Sequence, residues 1–298
     1  MRVVLTGASG FVGSWLVPDL QSRGITVFRL LRAKEPVTSP DSGHWDPPSG
    51  QLDPELLEGA DVLINLAGRN IAAGRWTAAV KRELWSSRVE STRTLVHALG
   101  LCKNPPALLI NASATGYYGD RGEQELTEES PPGTDFVASL ARAWEQEALA
   151  AQQLEIRVVL LRFGMVVGRG GAVARMAPAF RLGLGGPVGR GRQFWPWVAM
   201  EDVLGVVRHV MEHEEIAGAV NVVSPESVRC REFVRALGTV LRRPSFLPVP
   251  ALAARLILGE MAQSLLLAGA RVRPAALLAS DYDFRVADLA NAIRRCFD

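Results

Sequence analysis

Lysine is nearly missing from this chain. Of 33 lysines and arginines, three are lysine (Lys34, Lys81 and Lys103) and 30 are arginine. No lysine follows Lys103, so a site that needs an ammonium group beyond that point is excluded. Tyrosine is scarce as well: Tyr117, Tyr118 and Tyr282 are the only three, with none between the second and the third. The three cysteines, Cys102, Cys230 and Cys296, are odd in number and far apart, which excludes a disulfide framework and a zinc site. Reduced thiols in a cytosolic compartment are the expectation. Long apolar runs are missing too. The most apolar late stretch, Leu247 to Ala270, is interrupted by Arg255 and Glu260, whereas a membrane span needs about 20 nearly uncharged residues. The formal charge is +2, with arginines scattered among 31 acidic residues, so there is no electrostatic footprint for nucleic acid. Met1-Arg2 runs straight into Val3-Val4-Leu5 and a glycine turn, without the apolar segment of a secretory leader. A cytoplasmic protein is therefore expected, with no nucleic-acid partner and no membrane.

What is present is an ordinary folded composition, 48% hydrophobic over 298 residues. Short apolar runs alternate with helix-length amphipathic segments, the pattern of a parallel sheet with crossover helices. Strands are predicted over Arg2–Leu5, Thr26–Leu31, His44–Asp46, Asp61–Leu66, Ala107–Ala112 and Arg157–Leu161. Helices are predicted over Phe11–Arg23, Thr77–Leu101 and Ser139–Gln153. After Arg162 the texture changes to glycine-rich loops, Gly168–Gly171 and Gly183–Gly191, and then a strand over Ala219–Val223. From Ser224 onward the chain reads as mainly helical, broken by Pro244, Pro248 and Pro250. The expected fold is α/β: a Rossmann-type doubly wound parallel sheet with a smaller, mainly helical C-terminal lobe. Residues 1–162 would form the dinucleotide-binding domain, with 198–223 returning to it, and 163–197 with 224–298 the lobe.

The sharpest motif is Gly7-Ala8-Ser9-Gly10-Phe11-Val12-Gly13, directly after the first strand and opening the first helix. Gly7 permits a tight turn, Gly10 lets backbone approach a pyrophosphate, and Gly13 allows close helix–strand contact. Free N–H groups at the helix start then attract the anion. An NAD site usually places an acid about 20 positions after this loop. Here the segment reads Phe28-Arg29-Leu30-Leu31-Arg32-Ala33-Lys34, with no acid before Glu35. A guanidinium suits a ribose 2′-phosphate, so NADP is favoured, with Arg32 the main contact and Lys34 an auxiliary.

With these residues the chain resembles the short-chain dehydrogenase/reductase superfamily, in its extended, epimerase-like branch. Asn65-Leu66-Ala67-Gly68, Ser113-Ala114-Thr115-Gly116-Tyr117-Tyr118-Gly119 and Val198-Ala199-Met200-Glu201-Asp202-Val203 are similar to that branch's motifs. Nearly the whole chain resembles the SDR39U1-like epimerase group, which ends in a domain of unknown function. Trp45-Asp46-Pro47, Arg75-Trp76-Thr77, Phe194-Trp195-Pro196-Trp197 and Arg271-Val272-Arg273-Pro274 match it, while Asp281 stands where a glycine is usual. The resemblance implies cofactor contacts from the glycine loop (Gly7, Ser9, Gly10, Phe11, Val12, Gly13), Leu31, Arg32, Leu66, Ala67 and Gly68. It also implies Glu83 and Arg88 along the cofactor, and Val166 at the nicotinamide amide. Five residues from Glu83 to Arg88 is not same-face helical spacing.

Most members of the superfamily use Tyr-x-x-x-Lys for proton transfer, the lysine lowering the phenol's pKa. The matching frame here is Phe136-Val137-Ala138-Ser139-Leu140, and the lysine and tyrosine counts exclude the pair in every other frame. Tyr117 or Tyr118 would then be the replacement acid, with Ser113 or Thr115 supplying a hydroxyl; packing at a strand end is the competing role for the tyrosines. His209 and His213 at i,i+4 lack a third metal ligand and read as a solvated helix face. Trp195 and Trp197 wall a pocket or anchor the lobe, and Arg190 and Arg192 bind an anion or are simply solvated. Two functions stay open: an NADP-dependent oxidoreductase or epimerase-like enzyme acting on an unknown small molecule, or a non-catalytic NADP-binding regulatory protein. A homodimer or a protein partner is open as well.

Overall fold

The computed structural model describes residues 1–32 and 40–298. Five strands of the N-terminal half are β1 (Arg2–Thr6), β2 (Thr26–Arg32), β3 (Ser42–Trp45), β4 (Val62–Asn65) and β5 (Leu108–Ala114). A two-residue strand, β6 (Glu125–Leu126), precedes β7 (Arg157–Phe163), β8 (Met165–Val167), β9 (Trp197–Ala199), β10 (Gly218–Val222) and β11 (Arg271–Val272). Seven of these form one sheet in the order β10-β7-β5-β4-β1-β2-β3, with every neighbouring pair parallel. That is a doubly wound Rossmann-type sheet, and the near-continuous apolar strands follow from burial on both faces.

The helices are α1 (Gly13–Gln21), α2 (Ala78–Trp85), α3 (Ser91–Leu99), α4 (Phe136–Leu149), α5 (Ala172–Arg181), α6 (Met200–Glu212), α7 (Cys230–Leu241) and α8 (Ala251–Leu258), followed by shorter helical pieces. On one face Leu16 and Leu20 of α1 and Val203, Val206, Val207 and Val210 of α6 pack on Leu5, Ile64, Ile110 and Leu161. On the other, Leu95 and Leu99 of α3 and Ala148 of α4 pack on Val4, Leu63 and Leu109. The C-terminal part is largely helical, and its own core gathers Phe180, Trp195, Trp197, Phe233, Leu237 and Ile293. Trp195 and Trp197 therefore anchor this core.

Two expectations need correction, and one pairing is new. The helix predicted over Thr77–Leu101 is interrupted at Ser86–Glu90 by a π-helical turn between α2 and α3. Helix α4 begins at Phe136, three residues before the expected Ser139, because Asp135 accepts a hydrogen bond from the Ala138 backbone and caps it. The short parallel pair of β6 with β11 has no two-residue signal in the sequence; it ties the loop after β5 to the last sixth of the chain.

Candidate functional site

Strand order reverses between β1 and β4, and both strands end at the same sheet edge. Polar residues close the strand ends. Thr6 Oγ1 donates to Asn65 Oδ1 at 2.7 Å, and Asn65 Nδ2 donates to Asn111 Oδ1 at 2.6 Å and to Thr92 Oγ1 at 2.9 Å. This fully buried chain fixes three neighbouring strand ends. A cleft of about 600 Å³ opens above them, within the range of small-molecule sites.

The glycine loop forms one side. Gly7 has φ 72°, and a Cβ there would sit 2.6 Å from the Leu66 carbonyl oxygen. A Cβ on Gly13 would lie 2.2 Å from the Gly7 carbonyl oxygen, so only glycine lets α1 approach the turn so closely. Helix α1 starts without a side-chain cap and without an acid in its first turn, leaving its N–H groups and positive dipole end toward the cleft. Gly7, Gly10, Phe11, Val12 and Gly13 line the cleft; Ser9 is exposed on the turn. Leu66 and Gly68, after β4, line it as well, and the Ala67 N–H donates to Thr6 Oγ1 at 3.2 Å. Leu31 and Arg32 end β2 at the same edge, with Arg32 exposed. Lys34 lies outside the described residues.

The π-turn shapes the next wall. Ser87 Oγ accepts from the Arg69 N–H at 3.0 Å, and Arg88 Nη2 donates to the Arg69 carbonyl at 2.8 Å. The wide turn thus brackets the backbone of Arg69, immediately after the Asn65–Gly68 motif. Arg88 lines the cleft, and its guanidinium lies 5.2 Å from the Trp144 ring centroid. Among the described residues its hydrogen-bond acceptors are carbonyl and hydroxyl oxygens, and no carboxylate pairs with it. Burial lowers its pKa to about 10, still charged at neutral pH. Glu83 does not line the cleft: its half-exposed carboxylate pairs with the Arg69 guanidinium on the outer side.

Helix α4 forms an apolar wall of Val137, Leu140, Ala141 and Trp144. Leu140, where the superfamily's lysine would fall, is thus a cleft-lining hydrocarbon. Phe136 turns away to pack edge-on against Trp76 and under the Lys81 ammonium. Beneath this wall Ser113 lines the cleft, its Oγ donating to Glu145 Oε1 at 2.6 Å. Arg162 grips Glu145 with two hydrogen bonds of 2.8 Å and donates to the Tyr118 hydroxyl at 2.9 Å. Tyr118 donates to Asn221 Oδ1 at 2.6 Å and is fully buried away from the cleft. Burial pushes its pKa up to about 12 despite the neighbouring Arg162 charge, so it stays a phenol. Tyr117 lies with its ring 3.6 Å from the Arg162 guanidinium and does not line the cleft. Thr115 Oγ1 donates to the Phe163 carbonyl at 3.3 Å. Of the four hydroxyl residues singled out in the sequence, Ser113 alone borders the cleft.

The lobe supplies the opposite lip. Met165 and Val166 of β8, then Gly170, Gly171, Ala172 and Arg175, line the cleft. Arg175 Nη1 reaches over to donate to the Ala72 carbonyl at 3.1 Å. The basic residues on the cleft lining are thus Arg88, Arg175 and Arg69, the last with its guanidinium paired to Glu83, and there is no acid on the lining. Arg69 and Arg175 escaped sequence reasoning, since neither sits in a periodic or spaced motif; the position of Arg69 directly after Asn65–Gly68 was the one available signal. His209 and His213 stack away from the cleft, bound to Ser280 and Glu215. Among the described residues no cluster of His, Cys, Asp or Glu could hold a metal.

Residues 3–223 match the family model described as the NAD dependent epimerase/dehydratase family, and residues 249–296 match a domain of unknown function, DUF1731. The chain is 38% identical over 292 residues to epimerase family protein MT2273 of Mycobacterium tuberculosis, covering 98% of this chain and 96% of that one. It is 38% identical over 299 residues to epimerase family protein SDR39U1 of Bos taurus, covering 99% of each. The crystal structure of human epimerase family protein SDR39U1 (isoform 2) with NADPH superposes with a TM-score of 0.89 at 34% identity, over 99% of this chain and 98% of that one. By sequence, by strand order and by the glycine loop at the switch point, the chain belongs to the NAD-dependent epimerase/dehydratase family, in the group of SDR39U1-like epimerase family proteins.

Proposed function

We propose that this protein binds NADP(H) in the cleft and acts as an oxidoreductase or epimerase-like enzyme on a small molecule held between the sheet edge and the C-terminal lobe. One observation carries the cofactor assignment. The glycine turn and the uncapped start of α1 face the same cleft as Arg88, a part-buried guanidinium that no carboxylate of the described residues answers. Such a charge is costly to keep unless an anion answers it when the site is filled. The NADPH bound to the human relative agrees with this reading. The glycine loop would hold the pyrophosphate, Arg32 the 2′-phosphate, and Leu66, Ala67 and Gly68 the adenosine side. The backbone of Val166 would hold the nicotinamide amide.

When bound, the cofactor supplies or accepts hydride. The chain's own residues do the rest: α4 and Phe163 exclude water, while Arg88 and Arg175 orient an anionic or carbonyl oxygen. Ser113 Oγ, held by Glu145, is the side-chain hydroxyl of the cleft lining and would pass a proton. The apolar α4 wall favours the second reading, a non-catalytic protein in which NADP(H) stabilises a partner-binding surface. Fluorescence titration with NADPH and NADH, followed by cofactor oxidation over a panel of carbonyl compounds, separates the cases. Tight NADPH binding that Arg32→Ala weakens far more than NADH binding supports the assignment; equal losses remove Arg32 as the phosphate reader. Tight binding without turnover on any carbonyl leaves the regulatory reading.

A further inference from the structure

Helix α8 is apolar nearly all round: of Ala251-Leu252-Ala253-Ala254-Arg255-Leu256-Ile257-Leu258, seven residues are apolar, yet Ala254 alone is buried. A helix of that composition is normally covered on every side. Here Leu252, Leu256 and Ile257 are 67%, 68% and 71% exposed. The preceding segment adds Phe246 at 79%, and the loop after α5 adds Leu182 at 76%, with Leu184 and Leu247 also exposed. Tertiary structure joins these two segments. Val188 bridges Val249, the Gly189 N–H donates to the Val249 carbonyl, and the Gly186 backbone lies against Leu247. The helix is not a loose end, because Lys81 of α2 pairs with Glu260 just beyond it at 2.5 Å.

The two segments that meet here carry charge of one sign, and Glu260 at their border is paired with Lys81. Residues 169–200 and 233–259 contain no aspartate or glutamate, although the chain has 31. Arg190 and Arg255 lie on these segments, and Arg242 and Arg243 shortly precede Phe246 in the chain; all four are exposed, and none makes an ion pair with another described residue. Two properties choose the occupant. Side chains exposed by two-thirds or more protrude rather than line a groove, which suits insertion into a yielding phase better than docking of a peptide. A second copy packed on the same face would bring unpaired arginines together, a repulsion that an anionic partner turns into attraction.

We infer that this face binds an anionic lipid surface, with Phe246, Leu252, Leu256 and Ile257 entering the headgroup–acyl boundary and the arginines contacting lipid phosphates. It would lie on the membrane without spanning it, and no helix among the described residues is long and apolar enough to span. The inference is independent of turnover in the cleft.

Flotation of the full chain with vesicles tests it. Vesicles of phosphatidylcholine alone are compared with vesicles in which about 30% is phosphatidylglycerol, a mixture with the surface potential that attracts basic residues. Binding to the anionic vesicles alone, weakened by salt, is expected. Arg242→Glu with Arg243→Glu should lower partitioning by on the order of tenfold or more, at about 1 kcal/mol per arginine near the surface. Leu252→Glu with Leu256→Glu should abolish it, and both variants should keep wild-type melting and NADPH titration, showing that the fold survives. Absence of wild-type binding to either vesicle overturns the inference, as does equal binding to both. Self-association that the leucine variant dissolves, without vesicle binding, also overturns it and assigns the face to a second copy.

Discussion

Arg162 and Glu145 meet between β7 and α4 through two parallel hydrogen bonds of 2.8 Å, each residue only 4% exposed. Burial opposes the arginine's charge, but the hydrogen bonds and charge of Glu145, with Tyr118, hold its pKa above the ordinary guanidinium value. The pair links cleft-lining Ser113 to Tyr118, Asn221 and the Arg273 carbonyl of the C-terminal region. Removing one partner strands the other charge. Glu145→Gln is expected to cost about 3–5 kcal/mol in denaturant unfolding. A loss below about 1 kcal/mol would show that water reaches the pair.

Arg88 should behave in the opposite way. Its charge is partly desolvated, and among the described residues it is answered by carbonyl oxygens, a hydroxyl and the Trp144 ring. Arg88→Met should leave the melting temperature unchanged or raised while weakening NADPH by about ten- to a hundredfold, the worth of hydrogen bonds to a charged group. Calorimetric titration and thermal melts on the same sample check both halves.

Gly13 admits no side chain, because a Cβ would stand 2.2 Å from the Gly7 carbonyl oxygen. Gly13→Ala must push α1 off the turn, at a cost of about 1–3 kcal/mol. It should also lower NADPH affinity strongly, since the N–H groups move with the helix. Gly24→Ala, at a surface turn with φ 76° and open space around it, loses stability through backbone strain alone and is the control, with an NADPH titration like wild type.

Tyr118→Phe removes the donor to the buried Asn221 oxygen and an acceptor for Arg162. It should lose about 1–3 kcal/mol of stability and keep NADPH affinity. Should a carbonyl substrate be found, Ser113→Ala is expected to depress its turnover, and the Tyr118 variant is not. The reverse pattern in steady-state rates would make Tyr118 the acid.

Burial, and then the neighbouring His213, depress the pKa of His209 below its ordinary 6.5. Around and below 6.5 the unfolded chain therefore binds more protons at this position than the folded one. The stability it contributes is whole above 6.5 and is lost as pH falls through the folded value. His209→Gln should flatten that fall in urea titrations between about pH 7 and 5.

The glycine turn was legible because its chemistry is local: β1, Gly7, Gly10 and Gly13 lie within a few residues, and steric rules fix what they do. The parallel sheet was legible from buried apolar runs. The π-turn was not. Ser86–Glu90 keeps helical composition, and the widened turn is fixed by Arg69, which arrives from the loop after β4 and binds Ser87 and Arg88. The early start of α4 is written locally, in Asp135 three residues ahead of Ala138 at N-cap spacing.

By itself the sequence determined that no Tyr-x-x-x-Lys pair exists, since residue identity needs no coordinates, and that a dinucleotide-type loop opens the chain. Tertiary structure decided which polar groups reach the cleft. Tyr118 went to a buried network and Glu83 to an outer ion pair, while Arg69, Arg88 and Arg175 converged from three distant segments. It also joined the loop after α5, at Val188, to the segment before α8, at Val249, bringing exposed apolar side chains of both together. The physical reason is range: backbone sterics and burial patterns act between near neighbours, whereas unpaired charge and exposed hydrocarbon are properties of surfaces that form only when distant segments meet.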